Sequence, residues 1–600
     1  MKRLLLVGGG HAHLEVLRSI QRTPIPDTEV LLVSMGRFAA YSGGVPGYLA
    51  GRYTAGDIAF DLDALARAAG GVFMDEVVEQ VDGTAGTVRV NGQSIAFDAC
   101  SIDVGSSPAG SDVPGVGEHA LPLRPLVNAL SLVERFDALA LAARTETHCV
   151  VVGGGAGGIE VALALAARGM GRVRVSIVHD REELLPDYPA RARRIAVGAC
   201  RRAGVAVGTG QRVESVARDH VQLAHGVQLP SVLTVWLAGA APPAMLATSS
   251  VPRSHDGYLS VDNALRAIDG APVWGAGDCI TLREHPWVPK AGVYAVRQGP
   301  VLAHNLRVFL ETHGRPRTYR PQSHFLSLVS TSDKLALLEY RGIAIESRWA
   351  QTLKGFIDRR FMNRYRVPPT SGMRREIGGS GTSDIGSDLT GAMADERKEK
   401  LEKDDRFSTE ALVWLPDVTR FALSLTRDEA DADDLVQETY LRAYQAWDTY
   451  TPDTECRGWL FTICRNTYYR QERREHRMVQ CDDPELEALA AAAVHASADT
   501  AGFGNLFSRT DLYDALDRAL AALPDQFREA VILVDVQDQS YATSAAVVGV
   551  PVGTIRSRLF RGRRLLQEAL LEHATDLGLT NHLASPAAKH TSHASEQELT

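Results

Sequence analysis

Two glycine clusters stand out for the chemistry they suit. Gly8-Gly9-Gly10-His11-Ala12-His13 follows the apolar run Leu4–Val7, and Gly153-Gly154-Gly155-Ala156-Gly157-Gly158 follows Cys149–Val152. Glycines at such a turn let the chain double back and approach a pyrophosphate, whose charge then sits at the N-terminus of the next helix. Gly153, Gly155 and Gly158 complete a GxGxxG spacing, whereas the first copy keeps Gly8 and Gly10 and has His13 in place of the third glycine. One copy is a weak signal; two copies predict two dinucleotides. The strand after the first turn ends in Ser34, where an acid ordinarily holds a ribose hydroxyl. The strand after the second ends in His179-Asp180-Arg181, in which Asp180 suits a 2′-hydroxyl and Arg181 a 2′-phosphate. NADH and NADPH both stay open.

A different chemistry occupies the second half. Arg457–Asn466 and Tyr468-Tyr469-Arg470 interleave aromatic and basic residues, which suits stacked bases and strand phosphates. Tyr541–Val548, Gly549 and Pro551–Leu566 read as a helix, a glycine turn and a basic helix, a helix-turn-helix with its reading helix last. Between these segments and the N-terminus, Asp431–Tyr444 sets apolar residues at helical spacing with acids on the opposite face.

The elements that position these groups need more than one core. A chain of 600 residues with 45% hydrophobic content is long enough for three to five domains. From Pro368 to about Arg406 apolar periodicity is lost through Gly378–Ser383 and the charged run Asp395–Lys400, so this stretch reads as a linker. A second weak stretch covers about 478–510, and the tail is polar with solvated histidines. The seven cysteines form no CxxC pair and no zinc-like cluster, which fits a reduced cytosol. The apolar run after Met1-Lys2-Arg3 is cut by glycines too early for a signal peptide and reads as a buried strand. No apolar stretch approaches the 18 or so residues of a spanning helix. The net charge of −9 is unevenly spread, arginines crowding 465–477 and 556–564 and acids 428–438.

Two resemblances follow. Thr234–Ala240, with Gly239, and Pro272–Asp278, a strand ending in Gly277-Asp278, join the glycine turns in resembling two-dinucleotide-domain flavoproteins. Tyr41–Gly47, Ser101–Ser106, Gly292–Pro300 and Ile357–Met362 narrow this to FAD-dependent oxidoreductases associated with selenophosphate synthetase, relatives of the type II NADH dehydrogenases, over about 1–367. The resemblance implies FAD held at Gly8, Gly10, His13, Ser34 and the ribityl contact Asp278. It implies NAD(P)H at Gly153, Gly155, Gly158, Asp180, Arg181 and Gly239. Lacking paired cysteines, the chain is expected to pass hydride directly from NAD(P)H to flavin, with Lys290 tuning the flavin or simply standing at the surface. Quinone is the favoured acceptor, although Ala291-Gly292 departs from the Ala-Gln of the type II enzymes. The basic and aromatic residues of 341–366 suit either an anionic membrane surface or a packed helix with a solvated basic face, the latter preferred.

The second half resembles extracytoplasmic-function (ECF) RNA polymerase sigma factors, with regions 2 and 4 in order. Carried over, Asp434, Gln437, Glu438 and Arg442 would face core RNA polymerase. Arg465, Asn466, Tyr469 and Arg473 would meet a melted promoter strand, with Trp459 in the core. Thr554, Arg556, Ser557 and Arg561 would reach bases or nearby phosphates, and Arg563 and Arg564 phosphates only. Ser544 departs from the aliphatic residue usual in the supporting helix. An anti-sigma factor is a further partner of such proteins.

The expected layout is therefore a multidomain chain: an α/β Rossmann-like flavoprotein with two dinucleotide-binding domains, then all-α sigma region 2 and a helix-turn-helix region 4. The boundaries are FAD-binding parts at 1–115 and 241–325 around an NAD(P)-binding domain at 116–240, and a closing segment at 326–369. A linker at 370–405, region 2 at 406–477, a linker at 478–510, region 4 at 511–572 and a tail at 573–600 follow. A flavin domain that senses redox state without turnover, and two independent halves joined by gene fusion, are the alternatives.

Overall fold

A computed structural model describes residues 1–125, 128–142, 147–331, 334–367, 402–451, 455–477, 516, 519–537 and 539–576, without the side chains of 472–477 and 571–576. Both expected linkers, apart from the residues from 402 on, the start of region 4 and nearly all of the tail lie outside these residues. The chain forms two compact units, Met1–Ser408 and Thr409–Thr600.

Two parallel five-stranded sheets organise the first unit. In the first, strand Lys2–Val7 lies between Thr28–Ser34 and Ala99–Ile102, and strands Val72–Asp75 and Val273–Gly275 form the edges. Leu4, Leu5 and Leu6 are consecutive and all fully buried, because helices cover both faces of a parallel sheet. The second sheet runs Ala120–Pro122, Leu233–Trp236, Thr147–Val152, Val173–Val178 and Ala206–Gly208. The first sheet is thus completed by an edge strand, Val273–Gly275, that follows the whole second sheet in sequence.

An antiparallel sheet, Ser327–Ser330, Ala336–Tyr340 and Ile343–Ser347, leads into the closing helix Arg348–Arg364. This segment joins both cores: Phe361, Met362 and Tyr365 pack into the first, Val329, Leu337 and Ala344 into the second. The aromatic rings that would anchor the helix to a membrane surface are turned inward, Trp349 fully buried and Phe361 nearly so, and Lys354 is buried as well. Among the described residues, no helix is long and apolar enough to cross a membrane.

The second unit is helical. Leu415–Thr426, Glu429–Gln445 and Cys456–Arg477 form one bundle, in which Phe421 and Phe461 lie 4.8 Å apart and Trp459 packs on Trp447 and Tyr450. Asp428 caps the acidic helix by accepting from the Ala430 and Asp431 amides. Asp525–Val531, Tyr541–Val548 and Val552–Asp576 complete the unit, Gly549 taking the left-handed turn before the last helix at φ 73°. The odd residue of the supporting helix, Ser544, is fully buried, and its hydroxyl has no hydrogen-bond partner among the described residues. Ser544→Ala should therefore stabilise this unit by about 1 kcal/mol, seen as a higher urea midpoint with an unchanged slope.

Candidate functional site

The first glycine turn opens onto a cavity of about 580 Å³. Gly8–His11, Ser34, Asp103, Asp278, Lys290 and the N-terminus of helix Gly292–Glu311 all border it. The cavity lies at the C-terminal ends of Lys2–Val7, Thr28–Ser34 and Ala99–Ile102, and strand order in this open parallel sheet reverses between the first and the last of these. Exposed Met35, Phe38 and Val77 line the same cavity beside Ser34. Apolar side chains that stay half-wet around a concave surface suit a flat aromatic ring.

Gly8 adopts φ 94°, and a Cβ there would lie 2.4 Å from the Asp103 carbonyl. A Cβ on Gly10 would lie 2.2 Å from the Asp103 carboxyl. These glycines therefore make room for Asp103, a residue whose approach the sequence does not announce. Asp103 accepts from the Ala12 and His13 amides at 2.9 and 3.2 Å, so it caps the helix whose N-terminus faces the cavity. Burial pushes its acid up to about 7 against those bonds, with the Asp278 charge adding to the rise. His13 turns away from the cavity: its ring nitrogens meet Gly8 O at 2.7 Å and Ser101 Oγ at 2.9 Å. Expected at a cofactor, it instead braces the turn from below, and burial pushes its pKa down to about 4.

Asp278 is half-buried, faces Arg124 at 3.5 Å and accepts from Ser106 at 3.4 Å. Burial raises its acid, and Arg124 and Lys290 oppose the rise. Arg124 borders the cavity too, and nothing in its local sequence marks it. Lys290 donates to Ile280 O and Thr281 Oγ1 and lies 4.0 Å from the Tyr258 ring centroid. Burial lowers its pKa.

At the second turn Gly153 has φ 127° and Gly158 is obligatory, since a Cβ there would lie 1.9 Å from the Gly153 carbonyl. Gly155 has open space, as a backbone meant to meet a ligand requires. Asp180 and Arg181 are exposed at the end of their strand, and Gly239 is exposed with φ 98°. His179 comes closer, its ring 2.6 Å from a Cβ position on Gly154.

A buried charged cluster that local patterns do not reveal lies behind residues Tyr41–Gly44. Lys354 Nζ donates to Gly43 O at 2.7 Å and Asp358 Oδ2 at 3.0 Å. Tyr41 and Tyr53 donate to the same carboxylate at 3.1 and 3.5 Å. Glu160, two residues past Gly158, accepts from the Ser330 amide at 2.8 Å, and burial raises its acid against the pull of Lys354. Cys100, Cys149, Cys200 and Cys279 are free and buried, burial pushing Cys149 and Cys279 up to about 12. Such thiols are inert at neutral pH, which leaves no dithiol chemistry to these four.

In the second unit, Gln437 and Glu438 are not on the outer face of the acidic helix. Glu438 is 3% exposed, binds Arg442 at 2.5 Å and accepts from Gln471 at 2.9 Å, so the expectation that it faces a partner is corrected. A carboxylate with two donors of its own can be buried, and helical charge spacing does not reveal that. Asp434 and Arg442 are half-buried. Asn466 is exposed, whereas Arg465 and Tyr469 both bind Glu529. Arg473 falls in the helix, with its side chain outside the described residues. On the last helix Arg556, Ser557 and Arg561 are exposed and Thr554 half-buried. Arg563 pairs with Asp535 and Arg564 with Glu568.

Comparison with known proteins assigns different families to the two units. The profile described as pyridine nucleotide-disulphide oxidoreductase matches residues 2–305. Sigma-70 region 2 matches 413–478 and sigma-70 region 4 matches 513–566. The ECF RNA polymerase sigma factor SigE of Mycolicibacterium smegmatis is 35% identical over 159 residues, 26% of this chain and 59% of that protein. EcfG of Rhodopseudomonas palustris is 35% identical over 179 residues, 29% of this chain and 91% of that protein. Among solved structures, the sulfide:quinone oxidoreductase of Aquifex aeolicus aligns at TM-score 0.52 and 18% identity, over 61% of this chain and 92% of that one. NDH2 of Plasmodium falciparum in complex with NADH aligns at 0.53 and 15%, over 61% and 97%. At these identities the structural likeness establishes the fold alone.

Proposed function

From a chain that belongs to the pyridine nucleotide-disulphide oxidoreductase family through residues 2–305 and to the ECF sigma factors through residues 413–566, we propose an FAD-dependent NAD(P)H oxidoreductase joined to a promoter-recognition factor. The observation that carries the first half is one cavity bordered by the Gly8–His11 turn, Ser34, Asp278 and a helix N-terminus. FAD fits this set: an apolar end at Phe38 for the adenine, the helix His11–Arg22 for the pyrophosphate, and Asp278 with Arg124 for the ribityl chain. Bound flavin would supply hydride acceptance from NAD(P)H and onward delivery to a quinone or comparable acceptor. The N-terminus of Gly292–Glu311 and Lys290 hold positive potential along one wall. The open Gly155 turn seats the nicotinamide dinucleotide, with Asp180 and Arg181 beside its ribose.

The second half would bind core RNA polymerase through its acidic helix, Asp434 included. The exposed Arg556, Ser557 and Arg561 would read the upstream promoter element in the major groove. Purified full-length protein should carry about one FAD per chain, oxidise NAD(P)H with an artificial acceptor, and direct transcription when mixed with core polymerase. Asp278→Ala should lose most of the flavin, read as the absorbance ratio of flavin to protein. Full flavin retention in that variant would show that the ribityl chain is held elsewhere.

A further inference from the structure

The helix Cys456–Arg477 carries the surface on which a melted promoter strand would lie, and part of that surface is already occupied. Arg465 Nε meets Glu529 Oε1 at 3.3 Å and Oε2 at 3.4 Å, and Tyr469 donates its hydroxyl to Glu529 Oε1 at 2.6 Å. The Arg465 guanidinium lies 4.7 Å from the Tyr469 ring centroid, and Glu529 is 2% exposed. A carboxylate held by an arginine and a tyrosine hydroxyl offers them what a backbone phosphate would.

The contact extends along both partners. Arg457 donates to Gln537 Oε1 at 3.0 Å, and Thr543 donates to Glu455 Oε2 at 2.8 Å. Gly458 sits within the helix where a Cβ would lie 2.9 Å from Thr543 Cγ2. A glycine within a helix is destabilising relative to alanine, and here it admits the supporting helix Tyr541–Val548. Most of these contacts are polar, so they can be exchanged for water or phosphate without stranding a large apolar area. The exposed face of the last helix stays free of this contact: Arg556, Ser557 and Arg561 remain exposed.

We propose that Glu529 is an internal stand-in for a promoter phosphate, by which the second DNA module closes over the strand-binding face of the first until a partner draws the two apart. The free chain then reads duplex DNA through its last helix but is blocked from a melted strand. Polymerase docking exchanges Glu529 for a strand phosphate on the same arginine and tyrosine. This rests on the promoter-recognition reading of the unit.

The test uses the full chain and a fluorescent single-stranded DNA oligonucleotide, AT-rich and without polymerase, read by anisotropy. Gly458→Leu, which leaves no room for Thr543, and Glu529→Gln, which removes the charge but keeps the shape, should each bind the strand at least tenfold more tightly than the parent chain. Adding Arg465→Ala to either should abolish the gain. Because destabilisation alone does not create affinity, a gain in either variant supports closure even if the other folds poorly. Unchanged strand binding in both overturns the proposal. Parallel transcription with core polymerase separates the two levels: promoter-dependent transcripts without any strand-binding gain sink only the closure, and no transcripts from the parent chain on any promoter sink the reading beneath it.

Discussion

Lys354→Met should cost the first unit about 3–5 kcal/mol. Lys354 and Asp358 are each 8% exposed and 3.0 Å apart, one turn apart on that helix. Taking two charges out of water is expensive, and the pair survives because its remaining valences are filled by Gly43 O, Tyr41 and Tyr53. Methionine matches the stem of lysine in length but leaves a buried carboxylate with two tyrosine hydroxyls and no cation. Glu160 draws on the same cation, so its acid should rise further in the variant. Lys354→Met/Asp358→Leu should recover most of the loss, since an apolar pair replaces an ionic one at similar volume. Urea denaturation of both variants checks this. A single-variant loss below about 1 kcal/mol would mean that water reaches Asp358.

Flavin retention should fall as pH rises above about 6.5, where the opposing contribution of His13, whose ring burial holds neutral down to about 4, is already complete, and Asp103 should be the cause. Its acid stands at about 7 in the folded chain against an ordinary value of 3.8. A raised acid binds its proton more tightly when folded, so its contribution is fully present below about 4, declines through the interval and is gone above about 7. At 1.36 kcal/mol per pH unit, the change across that window is on the order of 4 kcal/mol. The groups around the carboxyl set the sign: the Ala12 and His13 amides favour the anion, while burial and the Asp278 carboxylate outweigh them. A pyrophosphate at the same helix N-terminus adds negative charge, so bound FAD should favour the protonated acid still more. Flavin release, followed by fluorescence, should therefore be faster at pH 8.5 than at pH 6. Asp103→Asn keeps an acceptor for both amides and never ionises, so it should flatten the pH dependence and raise the melting temperature at pH 8. A steep dependence that persists in Asp103→Asn would assign the effect to another group.

What the sequence discloses depends on how far apart the cooperating residues lie. The glycine turns, Ser34, Asp278 and the helix-turn-helix are local, each written in one continuous stretch of chain, and the turn at Gly153–Gly158 has the backbone geometry its spacing requires. The Lys354 cluster joins Tyr41, Tyr53, Glu160 and Asp358, and Tyr41 meets Asp358 across 317 positions, so no window along the chain contains it. His13 illustrates another limit: a residue in a cofactor motif can serve the motif from underneath, and only the fold shows that its ring points to Ser101. Glu438 departs from the position that the sigma-factor resemblance implies, because Arg442 and Gln471 make it an interior group. Interleaved aromatic and basic residues mark Arg465 and Tyr469, and their bonds to Glu529 require the fold of a segment 60 or more residues away.

The interrupted first sheet has a consequence for how the protein is made. Strand Ala99–Ile102 must wait for its outer neighbour Val273–Gly275, and the whole second sheet is translated in between. On a ribosome adding about 5–20 residues per second, that wait is on the order of ten to thirty seconds. The inserted domain has every strand of its sheet in hand first, while the nascent N-terminal sheet keeps an open edge of backbone amides and carbonyls. The beginning of this polypeptide is therefore among the later parts to be finished, and a chaperone that shields unpaired strands would find its client at that stage of synthesis.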